Sequence, residues 1–400
     1  MEPGVSLLPW TLGVAVGLPL MWVGAELGAR WWLRRMPYWV WSPGLRLRCH
    51  LDREALPELE PLVRFEINSD GERGDDVPRS RHGLYRILTA GGSPVEAFAA
   101  DQPKSWPGAL ERLLETPESL AMLGASRVHV GNIGHSGIAS RHLDLVFEKV
   151  LPQYRRLDAI IIMVGGNDVF QWLECGAPAR YEPSPALVRE VFHCHPEGSF
   201  GWRPRELALV ELLRWLRHRW FRPVTVRENF GAWYREARAM RARATELRTC
   251  VPDPTAMLEN FAYHFCRVIR RAGATADRVV VVQQPWFEKA YTPQELAHMW
   301  HGGTGKAWRE AVTDFYSMDV LCRLMALMDA RAVRVAEDLG VEHVDLKTVL
   351  EPSLNNYYDF VHFTPTGSAA VAAAVAAALL RGPVRLEQLP SRALESPLAS

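Results

Sequence analysis

The hydrophobic pattern changes character along the chain. From Val5 to Ala25, "VSLLPWTLGVAVGLPLMWVGA", 21 residues carry no charge. At 1.5 Å per residue this run is long enough to span a bilayer. Trp10 and Trp22 lie near its ends, where interfacial anchors belong, and Pro9 and Pro19 are tolerated in a spanning helix. The run therefore predicts a single-pass transmembrane anchor within residues 1–35. The alternatives are a cleaved signal peptide and a buried core helix. The sequence has no basic segment ahead of the run and no small-residue cleavage site before "ELGARWWLRR". Arg30, Arg34 and Arg35 follow the run and no Lys or Arg precedes it, which by the positive-inside rule places the rest of the chain in the cytoplasm.

Residues 36–80 are rich in Pro, Arg and Glu and read as a connector, ending in the turn-forming "FEINSDGERGDDVP". Beyond it the pattern alternates between strand and helix. "YRILTA" leads into "GGSPVEAF" and a helical "SWPGALERLLE". "SRVHVGNIGHSG" begins with a strand at 127–130 and runs through a Gly-rich turn to the helical "RHLDLVFEKVLPQY". "LDAIIIMVGGND" is an unbroken apolar run, as in a strand buried on both faces. Strands at 278–284 and 341–346 follow, separated by the helical "DVLCRLMALMDARAVRVAEDLG". The last helix is framed by Thr364 as N-cap, Pro365 in the first turn and Gly382-Pro383 as stop. Five strands alternating with helices predict an α/β three-layer sandwich around a central parallel sheet. The catalytic-domain candidate is 81–382, with 383–400 a tail.

Between about 172 and 272 the alternation stops, and the stretch reads as a helical insertion. Residues 201–250 hold 12 Arg and 5 Glu. "ELALVELLRWLRHRWFR" has apolar residues at helical spacing with arginines on the other face. It is read as a helix packed on the domain with a solvated basic face, or as one lying on an anionic membrane or over a site.

Composition narrows the class. With 48% hydrophobic and 23% charged residues the chain is globular, and Lys+Arg balance Asp+Glu at 46 each, so no global charge points to nucleic acid. The six cysteines, at 49, 175, 194, 250, 266 and 322, form no CxxC pair and are too few for a disulfide scaffold. His193-Cys194-His195 with Cys175 has metal-ligating residue types, but reads first as a surface loop. Neither GxGxxG nor a phosphate-binding GxxxxGK-Ser/Thr loop occurs.

In a parallel α/β sheet, ligands bind beyond the carboxyl ends of the strands. Ser93 follows the first strand in Gly91-Gly92-Ser93. Gly134 and Gly137 follow the second, and Gly165-Gly166-Asn167-Asp168 follows the third. Asp359 stands three residues before His362 in "YYDFVHFTPTG", just ahead of the final helix. Singly, each reads as a turn, a cap or a structural histidine.

Together and in this order, "GGS", "NIGHSG", "GGND" and "DFVH" resemble the SGNH/GDSL hydrolase superfamily, over residues 65–381. "INSDGERGDD" and "WPGALERLL" are similar to a membrane-anchored bacterial branch of it. Gly92 stands where many members carry Asp. The resemblance implies a flavodoxin-like sheet, a serine esterase and an extracytoplasmic face. It implies Ser93 as nucleophile, His362 as base and Asp359 as its orienting acid. An oxyanion hole would be built from Ser93, Gly137 and Asn167, with Gly137 favoured over Gly134 because the family's Gly follows a small residue, here Ser136. Gly166 and Asp168 would structure the loop.

The chemistry agrees with that assignment. A serine hydroxyl needs a base to become a nucleophile, an imidazole titrates near neutrality, and a carboxylate fixes its tautomer. The expected partner is a small-molecule, lipid or carbohydrate ester, O-acetyl esters among them. No cofactor and no metal are expected, nor nucleic acid. The same residues suit an O-acyltransferase acting on a saccharide, since both reactions pass through an acyl-enzyme. A non-catalytic scaffold retaining the fold is the third reading.

Overall fold

A computed structural model describes residues 8–381, with 8–16 as backbone. Ten strands form among them: β1 (Arg46–Leu51), β2 (Leu62–Glu66), β3 (Leu84–Gly91), β4 (Arg127–Asn132), β5 (Leu157–Met163), β6 (Val224–Phe230), β7 (Glu246–Arg248), β8 (Ala276–Val282), β9 (Asp314–Tyr316) and β10 (Glu342–Val344). The central sheet has the order β10-β8-β5-β3-β4, and every neighbouring pair is parallel. Its strands are apolar on both faces because helices cover both. From Ala159 to Met163 and from Val279 to Val282 every residue is buried, which the unbroken Ile and Val runs require.

Helices Trp106–Leu114 and Pro365–Leu380 pack together, and helix Thr255–Thr275 packs on both Ser140–Val150 and Met318–Asp338. Thr364 accepts a hydrogen bond from the Gly367 N–H at 3.2 Å and so caps the last helix, with Pro365 in its first turn. Counted along the chain, the five central strands lie in the order 2-1-3-4-5. The connections therefore diverge between the first and third of them, β3 and β5, and open a crevice at their carboxyl ends.

Residues 36–80 are not a connector. β1 pairs antiparallel with β2 and parallel with β6, giving a separate three-stranded sheet. Val40, Trp41, Leu47, Cys49, Val63 and Phe65 are buried in one continuous core with the central sheet. The polar "INSDGER" segment folds around Glu72, which is wholly buried. His129 contacts its carboxylate at 3.0 Å, Arg86 at 2.9 Å and the Tyr154 hydroxyl at 2.7 Å. Burial raises that carboxyl's pKa, but the His129 hydrogen bond and the Arg86 charge outweigh burial and bring it to about 2.

The stretch expected to be a helical insertion is mixed. It contains β6 and β7 as well as helices Ala208–Phe221 and Trp233–Ala242, and Thr255–Thr275 belongs to the sheet's helical cover. Val224 to Phe230 becomes a strand because β1 offers it a ladder, a tertiary cause that local pattern does not carry.

The expected membrane span at 5–25 begins outside the described residues. Its remainder lies in a helix, Leu8–Leu33. Among the described residues no helix is long and apolar enough to cross a membrane, so a single pass is not supported. The helix runs beyond Ala25 and brings Glu26 into contact with the body, where it is fully buried. All six cysteines are free. His193 packs against Trp41, and Cys194 Sγ lies 3.3 Å from the Ser42 hydroxyl. The expected tail, 383–400, lies outside the described residues.

Candidate active site

Ser93 is presented where β3 ends. Gly91 has φ +155°, and a Cβ there would stand 1.9 Å from the Met163 carbonyl oxygen on β5. Only glycine lets the chain leave the sheet so close to its neighbour. Ser93 then opens a short helix to Glu96 with Pro94 in its first turn, and the Trp106 indole N–H donates to the Pro94 carbonyl at 2.9 Å. The side chain stays half-buried.

Asp359 and His362 sit in the turn before the last helix, facing Ser93 across the crevice. His362 Nε2 lies 2.8 Å from Ser93 Oγ, and His362 Nδ1 lies 2.7 Å from Asp359 Oδ2. Asp359 is fully buried. Its Oδ1 accepts the backbone N–H of Val361 at 3.0 Å and of His362 at 2.9 Å, and its Oδ2 accepts the Trp300 indole N–H at 3.0 Å. Burial alone would raise the pKa of this carboxyl. The charge of His362 and His301 and the hydrogen bonds around it reverse that and hold it well below the ordinary carboxylate range. An ionised carboxylate only accepts, so Nδ1 donates to it and Nε2 is the ring nitrogen that faces Ser93 Oγ.

The two Gly-rich turns meet at the same place. In helix Gly166–Glu174, Asn167 Nδ2 donates to the Ile138 carbonyl at 3.0 Å, and one turn later Gln171 Nε2 donates to the Gly137 carbonyl at 2.7 Å. These two bonds fix the 137–138 loop against the end of β5. A Cβ on Gly92 would lie 2.7 Å from Asn167 Nδ2. The amide thus stands directly over the nucleophile turn, and its second N–H is not needed for Ile138. Gly137 is exposed with φ +78°, and a Cβ there would meet nothing within 4 Å. Neither the Ser93 nor the Gly137 backbone N–H has a hydrogen-bond partner among the described residues.

Gly134 is placed differently. Its N–H donates to Asn132 Oδ1 at 2.8 Å, and a Cβ there would collide with Glu96 N at 2.4 Å. Gly166 approaches Gln284 too closely for a side chain, its own N–H donating to Gln284 Oε1 at 3.2 Å. Asp168 is buried and reaches the start of helix Ser140–Val150, accepting the Ser140 N–H at 2.9 Å and the Ser140 hydroxyl at 2.6 Å. Burial pushes its carboxyl up to about 6 against the lowering effect of those two bonds.

Several residues near the site have no motif in the sequence. Trp300 and His301 come from the loop after β8. Arg241 donates to the His301 carbonyl, while Arg238 donates to the Tyr358 and His298 carbonyls. Both arginines belong to helix Trp233–Ala242, so the stretch read as an insertion braces the loops that carry Trp300 and Asp359. The Tyr358 ring stacks on His362 with centroids 5.4 Å apart. Glu96, buried behind Ser93, accepts the Ser136 hydroxyl. The local signal for Trp300-His301-Gly302-Gly303 is that a loop beyond a strand's carboxyl end holds an aromatic, a histidine and two glycines. Among the described residues one group offers metal-ligand geometry: His301, Asp359 and His362, with ligand atoms within 4.8 Å of one another. Two of these three are already joined to each other and to Ser93.

No family model and no curated protein matches the chain. Among solved structures it is similar to LAE5, an alpha/beta hydrolase enzyme from the metagenome of Lake Arreo, Spain, at 14% identity and a TM-score of 0.39, over 74% of this chain and 94% of that one. It is also similar to Axe2, an acetylxylan esterase from Geobacillus stearothermophilus, at 13% identity and a TM-score of 0.38, over 77% and 97% of the two chains.

Proposed function

We propose that the chain is a serine esterase of the SGNH/GDSL type that hydrolyses an acyl ester through an acyl-enzyme on Ser93. One observation carries this reading: Ser93 Oγ, the His362 ring and the Asp359 carboxylate stand in a continuous relay, with gaps of 2.8 Å and 2.7 Å. His362 Nε2 takes the Ser93 proton as Oγ bonds to the ester carbonyl carbon, and the carbonyl π electrons move to its oxygen. Asp359 holds the ring in the productive tautomer and stabilises the imidazolium. The oxyanion is met by the N–H groups of Ser93 and Gly137 and by the Asn167 amide, all at the crevice where the connections leaving β3 and β5 diverge. Collapse expels the alcohol, which leaves with the proton from His362. Water activated by the same imidazole then attacks the acyl carbon and releases the acid and Ser93.

Gly166 and Asp168 act on the loop in this scheme, not on substrate. Attachment of the chain through residues 5–25 belongs to the same proposal and rests on the sequence of that stretch. Vesicle association of the full chain tests it.

The test of the activity is labelling with a fluorophosphonate, followed by mapping of the modified peptide. Labelling of Ser93, lost in Ser93→Ala and strongly slowed in His362→Ala, is expected. A chain that takes up no label, or takes it elsewhere, overturns the reading.

A further inference from the structure

The helix Leu8–Leu33 is built into the protein by a buried charge. The Glu26 carboxylate accepts the N–H groups of Ala208 and Leu209, both at 2.8 Å, and so caps helix Ala208–Phe221 from outside. Arg30 pairs with the same carboxylate at 2.8 Å, donates to the Gly201 carbonyl at 2.6 Å and lies 4.5 Å over the Trp202 ring. Between the helices, Ala29, Leu33 and Ala208 are buried, with Leu209, Leu212 and Trp215 packed against them. The two helices are therefore held in one fixed arrangement.

Their outward sides are unusual for a surface in water. Leu20, Met21, Trp31 and Trp32 are at least half exposed on the first helix, and Trp220 and Phe221 are 71% and 77% exposed at the end of the second. Isolated exposed apolar residues need no explanation, but a set this large on two packed helices does. The charge beside it is mainly basic; Asp76, which faces Arg219, is tied to Arg222. Arg34, Arg35, Arg217 and Arg219 are exposed. The acids of the two helices are Glu26, buried in the joint, and Glu211, which pairs with Arg214. A second copy would bring arginines against arginines across a two-fold axis. Exposed tryptophan and arginine on the two packed helices match the boundary of an anionic bilayer, where indole sits at headgroup level and guanidinium meets phosphate.

We propose that the outer faces of helices Leu8–Leu33 and Ala208–Phe221 form one docking surface for an anionic lipid bilayer. The second helix lies along the headgroups and fixes the orientation of the body on the membrane. The apolar residues enter the boundary layer, and the arginines hold it there.

Flotation of the full chain with phosphatidylcholine vesicles, with and without phosphatidylglycerol, tests this. The chain should bind the anionic vesicles more tightly, and salt should weaken that binding. Arg217→Gln with Arg219→Gln should lower the apparent affinity about five-fold for each arginine removed. Trp220→Ser, alone and with Phe221→Ser, should lower it at least as far. Thermal unfolding and hydrolysis of a soluble p-nitrophenyl ester serve as controls for folding and should not change. Variants that float like the parent chain would show that the first helix alone holds the vesicle, and would overturn the docking surface. So would equal binding to neutral and anionic vesicles, or a vesicle-free dimer that these substitutions dissociate.

Discussion

The indole N–H of Trp300 donates to Asp359 Oδ2 at 3.0 Å, on the same oxygen that faces His362 Nδ1. Trp300 and His362 thus share one oxygen of the carboxylate that orients the proposed base. Trp300→Phe keeps the ring and removes the donor. A hydrogen bond to a charged group is worth about 1.5–3 kcal/mol, and part of that loss should appear in the transition state. We expect kcat to fall about ten-fold with KM nearly unchanged. A variant whose KM rises while kcat holds would place Trp300 against substrate, not behind the acid.

Ser93, His362 and Asp359 act as one unit in the proposed relay. Ser93→Ala, His362→Ala and the double variant should all lose activity to a similar depth, of order 10⁶ in kcat. Losses that multiply in the double variant would mean that the two residues serve separate steps. Asp359→Asn should cost less than either, because the imidazole remains in a poorer orientation. Steady-state kinetics on a p-nitrophenyl ester decide this.

Gly92 owes its identity to Asn167. Its φ of −81° suits any residue, so the constraint is space: a Cβ would stand 2.7 Å from Asn167 Nδ2. Gly92→Ala should displace the amide and lower kcat by one to two orders of magnitude, with little change in melting temperature. Asn167→Ala should lower kcat by about 10²–10³. Asn167→Asp, which puts a negative charge where the oxyanion forms, should be at least as damaging. Near-normal kcat in Asn167→Asp would remove Asn167 from the oxyanion hole.

Asp168 makes stability depend on pH. Its folded pKa of about 6 lies above the ordinary carboxylate value, so the folded state binds the extra proton. The contribution is fully present below about pH 4 and is lost as pH rises through 6. A shift of that size corresponds to roughly 2–3 kcal/mol. Asp168→Asn can still accept the Ser140 N–H and cannot ionise. Urea unfolding from pH 4 to 7 should show the parent losing stability relative to the variant as pH rises. Parallel curves would mean that Asp168 ionises in the fold without penalty.

Much of the sheet is legible in the sequence, because Ile and Val runs bounded by glycine have few other uses. The strand expected at 278–284 runs from Ala276 to Val282; Gln283 is still buried and its N–H donates to the Val344 carbonyl at 3.0 Å, and Gln284 Oε1 accepts the Gly166 N–H. Ser93, Asn167, Asp359 and His362 stand out because each follows a strand or precedes a helix in a fixed order, and the fold brings them together. Residues 36–80 are harder: Pro and charge mask the alternation in Arg46-Leu47-Arg48-Cys49-His50-Leu51, which is a strand signal. Trp300, His301, Arg238 and Arg241 could not be found by pattern. They meet Asp359 and its neighbours only through tertiary packing: Trp300 and His301 lie in a loop, which has no period to read, and Arg238 and Arg241 lie on a helix whose pattern does not show what it packs against.

β1 is the middle strand of the small sheet, with β2 on one edge and β6 on the other. β6 carries exposed Val224 and Val226 and, among the described residues, has its ladder with β1 alone. A chain shortened to start after Leu51 would leave β6 with both edges bare. Unpaired N–H and C=O groups flanked by valines are a template for strands from other molecules. The segment that reads as a linker is thus a guard against self-association, and trimming it would be expected to yield aggregates in place of a smaller active domain.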